Sequence, residues 1–138
     1  MIKWVEGILY RDGHVLIGKL RRKNTLITRI EWTFPFKTIK ENESPRKTIK
    51  SLFEKEFGVK VNIGKFLLKY GPSENPKVEQ YFYELKHVSG NVISSKNYSQ
   101  FSWIKPTQIL KYFSTSVSKE LLDYLKSLEK TGKGIIID

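Results

Sequence analysis

The apolar positions of this chain fall into short alternating runs that read as strands, broken by two longer stretches with helical spacing. Trp4-Val5-Glu6-Gly7-Ile8-Leu9-Tyr10 reads as a strand, Asp12-Gly13 as a hairpin turn, and His14 to Leu20 as the returning partner strand. Arg21-Arg22-Lys23-Asn24 follows as a basic loop, and Ile30 to Pro35 as a short extended piece ended by proline. The best-marked helix starts at Ser44, a natural N-cap, with Pro45 in the first helical position. Ile49, Leu52, Phe53 and Phe57 repeat at helical spacing and Gly58 is a stop signal. Val59 to Tyr70 reads as a strand or a strand pair, and 71–76 as a loop. Lys77 to His87 alternates, with Val78, Gln80 and Phe82 on one face and Glu79, Tyr81 and Tyr83 on the other. Phe101 to Ile104 is a short strand stopped by Pro106. Thr107 is placed to cap a short helix through Tyr112. Ser118 is placed to cap a last helix to about Lys130, with Leu121, Leu122, Leu125 and Leu128 inward. The order hairpin, strand, helix, strands, helix predicts an α+β fold, a mixed β-sheet sandwiched between α-helices.

A length of 138 residues suits one domain over 1–138, with 131–138 as a short C-terminal tail. The first residues meet charge and glycine too early for a signal peptide. No run of 18 apolar residues is present, so no membrane partner is expected. The absence of cysteine excludes disulfides, thiolate metal sites and a cysteine nucleophile, and fits a cytoplasmic protein. Two histidines, His14 and His87, are too few for a histidine metal cage. The formal charge of +11, from 25 Lys+Arg against 14 Asp+Glu, attracts phosphates or nucleic acid. Because lysine is scattered along the chain, a merely solvated basic surface accounts for the same number.

The segments just described resemble the Nudix hydrolase superfamily over nearly the whole chain. RDGHVLIGKLRR looks like the family's first hairpin, and FSWIKPTQIL like its late tryptophan strand and following short helix. WTFPFKTIKENESPRKTIKSLFEKEFGV looks like the Nudix box, G-x5-E-x7-R-E-U-x-E-E-x-G-U with U apolar. Anchoring that box on Gly58 and Val59 puts Glu43 at the first glutamate, Phe53 at the apolar place and Glu56 at the last glutamate. Asn42 stands where a left-handed turn is needed, which asparagine tolerates.

The departures lie where the chemistry would be. Lys37 takes the box glycine, Ser51 the arginine, Leu52 the first glutamate of the R-E pair, and Lys55 the first of the E-E pair. Positions 52, 55 and 56 share one face of an α-helix. The resemblance implies three carboxylates there, holding a divalent metal that polarises a pyrophosphate. This chain offers Leu52, Lys55 and Glu56. Many relatives supply a further acid just before the tryptophan strand, but residues 85–119 hold no Asp or Glu.

Glu56 is therefore the one candidate catalytic carboxylate, and it is equally placed to pair with Lys60. No metal cofactor is expected. An active enzyme would need magnesium or manganese on Glu56 with Glu31 or Glu79 from neighbouring strands. Lys55, Lys37, Arg21, Arg22 and Lys96 are expected around one cleft as phosphate ligands. Tyr98, read as a loop residue, is the stacking candidate among the aromatics, while Tyr81, Tyr83, Phe101 and Trp103 are expected mostly in the core.

Three functions follow. The first is a nucleotide-, polyphosphate- or RNA-binding protein without magnesium-dependent hydrolysis. The second is an active Nudix hydrolase with a rebuilt metal site, cleaving a nucleoside diphosphate linked to another group. The third is a basic assembly subunit binding RNA or, through residues 132–138, a protein.

Overall fold

The alternating positions of the first twenty residues form a hairpin in the computed structural model, which describes the backbone of residues 1–137 and the side chains of residues 1–129. Strands β1 (Ile2–Arg11) and β2 (His14–Leu20) meet at Tyr10↔Val15 and Arg11↔His14. Asp12 and Gly13 both take positive φ, 51° and 79°, the twist that matches a two-residue hairpin turn.

Five more strands complete the sheet: β3 (Trp32–Thr33), β4 (Phe36–Thr38), β5 (Lys60–Tyr70), β6 (Val78–Ser89) and β7 (Tyr98–Ile104). The order is β3-β2-β1-β6-β5, with β4 added to β1 and β7 to β2. β1 runs parallel to β6 from Ile2↔Val78 to Tyr10↔Lys86, and every other pairing is antiparallel. The sheet is thus mixed. Val59 to Tyr70, open between one strand and two, is the single bulged strand β5.

Both faces of β1 are buried. Val5 and Leu9 pack with Ile49, Phe53, Phe57 and Leu85 beneath helix α1 (Pro45–Ser51). Ile8 packs with Val15, Ile17, Phe82, Leu121 and Leu125 beneath helix α3 (Lys119–Ile137). Each of these side chains contributes about 1.5–3 kcal/mol on leaving water. On β6, Val78, Gln80 and Phe82 are buried as the alternation requires.

Local signals set the helix ends. The Ser44 side chain accepts from the Lys47 N–H, and Pro45 opens α1. Asn42 has φ 69° in the loop before it, and Gly58 has φ 71° just beyond the helical stretch. From Leu52 to Glu56 the coil widens into a π-helix. The Ser118 hydroxyl accepts from Leu121 N–H at 3.1 Å and starts α3.

Two expectations need correction. Thr107 does not cap helix α2 (Ile109–Tyr112), because its hydroxyl is bonded to Glu129 at 2.7 Å, and a 3-10 turn over Pro106–Gln108 leads into the helix. The last helix does not stop near Lys130: α3 carries the backbone on through Ile137, over most of the stretch expected as a tail. The partner surface expected at 132–138 lies outside the described side chains. No helix among the described residues is long and apolar enough to cross a membrane.

Candidate functional site

Four of the five basic residues expected around one cleft do converge. The loop after β2, strand β4 and the loop before β7 enclose about 450 Å³, and Arg21, Arg22, Lys37 and Lys96 all line it. Lys23 and Asn24 join them, and the lining contains no carboxylate. All five residues are exposed, but the Arg21 guanidinium is partly engaged by backbone carbonyls, which leaves Arg22, Lys23, Lys37 and Lys96 more open to an anion. Lys55 is exposed on the π-helical turn and is not part of this lining.

Arg21 also builds the cleft. Its guanidinium donates to the Ser95 carbonyl at 3.1 Å and the Tyr98 carbonyl at 3.3 Å, while its backbone N–H donates to Asn97 O at 3.0 Å. The 95–98 segment is thereby folded onto the end of β2, which carries Lys96 to the rim.

Tyr98 is not a loop residue with a free ring. It begins β7 and is 2% exposed, its ring edge-on to Phe57 and tilted against Phe101. It cannot stack a base. Burial pushes its phenol well above the ordinary tyrosine range. The phenol oxygen accepts the Phe36 N–H at 3.0 Å, so Tyr98 ties β4, and Lys37 on it, to β7. The ring fits because Gly18 across the β2–β7 pair has no side chain: a Cβ there would lie 2.6 Å from Tyr98 Cδ1. Gly18→Ala is expected to cost about 1–3 kcal/mol from that overlap, read as a lower midpoint in urea unfolding.

The box helix departs from the expected arrangement as well. Positions 52, 55 and 56 do not form one exposed α-helical face. Leu52 is 2% exposed within the core, Lys55 is exposed, and Glu56 is half-buried. Glu56 does not pair with Lys60. Its carboxylate accepts from the Asn97 amide at 3.4 Å, which puts it beside the rim of the basic cleft. Glu54 takes the local cation instead, at 3.8 Å from Lys50.

Neither proposed helper acid is brought to Glu56. Glu31 is held by Lys19 at 3.5 Å, on the β3 edge of β2, whereas Asn97 belongs to the segment leading into β7 on the opposite edge. Glu79 is held by the Tyr81 hydroxyl and by Lys69 at 3.7 Å, and these two partners keep its carboxyl below the usual range. Among the described residues no group of three acidic or histidine side chains could hold a metal ion. A divalent cation wants several hard oxygen ligands. A buried leucine, an ammonium and one carboxylate do not fit it.

One polar residue in the sheet escaped notice in the sequence. Glu6 is 3% exposed, and burial pushes its carboxyl up to about 8. It borders a small space beneath the 113–118 segment, beside Thr33, Gln80 and Phe82. The available signal was its phase, two residues from Trp4 and two from Ile8 in an otherwise apolar run.

Comparison with known proteins agrees with the fold. No family model matches the chain. The chain is 30% identical over 112 residues to the 8-oxo-dGTP diphosphatase of Buchnera aphidicola subsp. Schizaphis graminum, covering 80% of this chain and 81% of that one. The MutT protein of Methanosarcina mazei superposes with a TM-score of 0.69 at 18% identity, over 96% of this chain and 95% of the other. A Nudix hydrolase of Nitrosomonas europaea gives 0.72 at 14% identity, over 91% and 70%. An ADP-ribose pyrophosphatase of Streptococcus suis gives 0.68 at 11% identity, over 91% and 90%. With a relative at that identity across four-fifths of both chains, and this sheet and box helix, the chain belongs to the Nudix superfamily.

Proposed function

We propose that this protein binds the phosphate chain of a nucleotide in the cleft between β4 and the two loops, using ammonium and guanidinium groups in place of a divalent metal. One observation carries this reading. The cleft is lined by Arg21, Arg22, Lys23, Lys37 and Lys96 without a carboxylate, in a chain that carries Leu52 and Lys55 where the box resemblance implies metal ligands. Charge-assisted hydrogen bonds to phosphate are stronger than neutral ones, and several converging on one anion give both affinity and orientation.

Isothermal calorimetry with ADP, with and without magnesium, is the test. Binding is expected without magnesium, and added magnesium is expected to leave the affinity unchanged or lower it by competing for the phosphates. Removing two cations in Lys37→Ala/Lys96→Ala should weaken ADP binding roughly tenfold, the equivalent of about 1.4 kcal/mol. ADP binding that requires magnesium would sink the proposal. Arg21 is left out of the variant because it holds the 95–98 segment in place.

A second reading is supported by the position of Glu56 beside the cleft rim and by the relative named an 8-oxo-dGTP diphosphatase. Here the protein hydrolyses a nucleoside triphosphate or a nucleoside diphosphate linked to another group. Turnover of such substrates that disappears in Glu56→Gln would favour it over simple binding.

A further inference from the structure

Residues 113–118 run between α2 and α3 as a strap without regular structure. Side chains hold it at three points. The Phe113 ring sits edge-on to Phe34 at 5.2 Å, and the Ser114 hydroxyl donates to the Arg29 carbonyl at 2.5 Å. Ser116 gives both its N–H and its hydroxyl to the Glu74 carboxylate, each at 2.6 Å. Ser114 and Ser116 are exposed, so breaking their bonds uncovers no core.

Beneath the strap lies a space of about 30 Å³, room for about two water molecules. Glu6 on β1 lines it and is 3% exposed. Nothing around this space balances a carboxylate. No lysine, arginine or histidine lines it among the described residues, and the one other titratable group in the lining is Tyr70 of β5. On the neighbouring strands Glu6 stands beside Phe36 of β4 and Phe82 of β6. The Thr33 hydroxyl of β3 is turned to the Phe34 carbonyl at 2.9 Å, and α3 contributes Leu121. The Tyr98 phenol of β7, raised by burial and further by the Glu6 charge, stays neutral. An ionised carboxylate kept dry and unpaired is very costly. The strap is the least anchored cover over Glu6, because α3 is packed down through Leu121 and Leu125.

We propose that residues 113–118 form a gate coupled to a proton: the strap lies closed while Glu6 is protonated and lifts when Glu6 ionises, letting water reach the carboxylate. The coupling is reciprocal, so whatever holds the strap down also keeps the proton on Glu6. Burial raises this carboxyl from 4.5 to about 8. Between those values the closed form holds a proton that the open form releases. Opening therefore gains about tenfold per pH unit as pH rises through the window, and levels off above it. The latch itself does not titrate there: partial burial raises the Glu74 carboxyl, but the bonds from Ser116 outweigh this and hold it below its usual 4.5. The gate does not depend on what the basic cleft holds.

Amide hydrogen exchange of the full chain, read by mass spectrometry from about pH 5.5 to about pH 7.5 with and without about 1 M urea, tests this. After correction for intrinsic exchange, protection of 113–118 is expected to fall about tenfold per pH unit. Urea should leave it unchanged, because lifting a strap exposes little surface, whereas the better protected β6 amides should respond to urea. Glu6→Gln, which has no proton to lose, should keep the strap closed and flatten the response. Ser116→Ala should lower strap protection at every pH and keep the slope. The proposal is overturned if strap protection is flat in the unmodified chain, or if the slope survives Glu6→Gln. It is also overturned if urea shifts the strap as much as β6, which would assign the exchange to global unfolding. Should Glu6→Gln fail to fold, Ser116→Ala decides: a lowered curve of equal slope supports the gate, and an unchanged curve sinks it.

Discussion

Replacing Glu6 by glutamine is expected to make the folded protein more stable at pH 7 by about 3 kcal/mol, and to make little difference at pH 4. The carboxyl has an ordinary value of 4.5 and is raised to about 8 by burial in the sheet. Between those two values the unfolded chain has released the proton and the folded chain still holds it. The folded state therefore binds more protons, and its stability falls as pH rises through this window. Below 4.5 both states are protonated and the group contributes no penalty; above 8 the full penalty is present. Glutamine has nearly the same shape and never ionises, so Glu6→Gln should flatten the curve. For a chain of this size the pH 7 gain corresponds to a rise of roughly 10 °C in Tm. Thermal unfolding of both proteins from pH 4 to pH 9 is the measurement. Parallel curves would show that the Glu6 carboxyl is ionised inside the fold.

Placing at position 52 the glutamate that the box resemblance implies is expected to unfold the protein rather than create a metal site. Leu52 is 2% exposed and packs into the cluster that includes Ile49, Phe53 and Phe57. Leu52→Glu removes that packing and buries a carboxylate without a partner, an expected loss on the order of 4 kcal/mol or more. Lys55→Glu lies on the exposed side of the same turn and should change stability by about 0.5 kcal/mol or less. Urea unfolding of the two variants gives the comparison. Equal midpoints would mean that Leu52 turns outward. The contrast has a functional edge. The acidic surface expected at 52, 55 and 56 cannot be reassembled one residue at a time, because one of its three places now belongs to the core.

The sequence made the frame legible because the signals there are local. Ser44, Pro45, Asn42 and Gly58 act through their own backbone geometry, and each behaves as its chemistry requires. The convergence of Arg21, Arg22, Lys37 and Lys96 came from the family resemblance, and the fold delivers it. What stayed hidden depends on partners distant in the chain. Tyr98 looks like a loop aromatic until the absence of a side chain at Gly18, eighty residues earlier, makes room for its ring. The i+4 spacing suggests a Glu56–Lys60 pair, but Lys60 lies past the Gly58 stop in β5, and the partner Asn97 comes from a segment distant in the chain. Leu52 is buried with Ile49, Phe53 and Phe57 as its apolar spacing requires, and the widening of the chain into a π-helix, which α-helical spacing does not show, sets it apart from Lys55 and Glu56. The burial of Glu6 depends on both flanking strands, β4 and β6, which no local pattern reveals.

The parallel pairing of β1 with β6 also sets a timetable for synthesis. Ile2 lies beside Val78, so one edge of β1 waits for a partner 76 residues further along, while β4 pairs with Trp4 to Glu6 on the other edge. At the usual pace of about 5–20 residues per second, that is a wait of roughly 4–15 s with a strongly apolar segment in water. A carboxylate in the middle of such a segment is the kind of residue that opposes self-association. The same carboxyl that costs stability in the finished sheet would keep the nascent strand dissolved until its neighbour arrives.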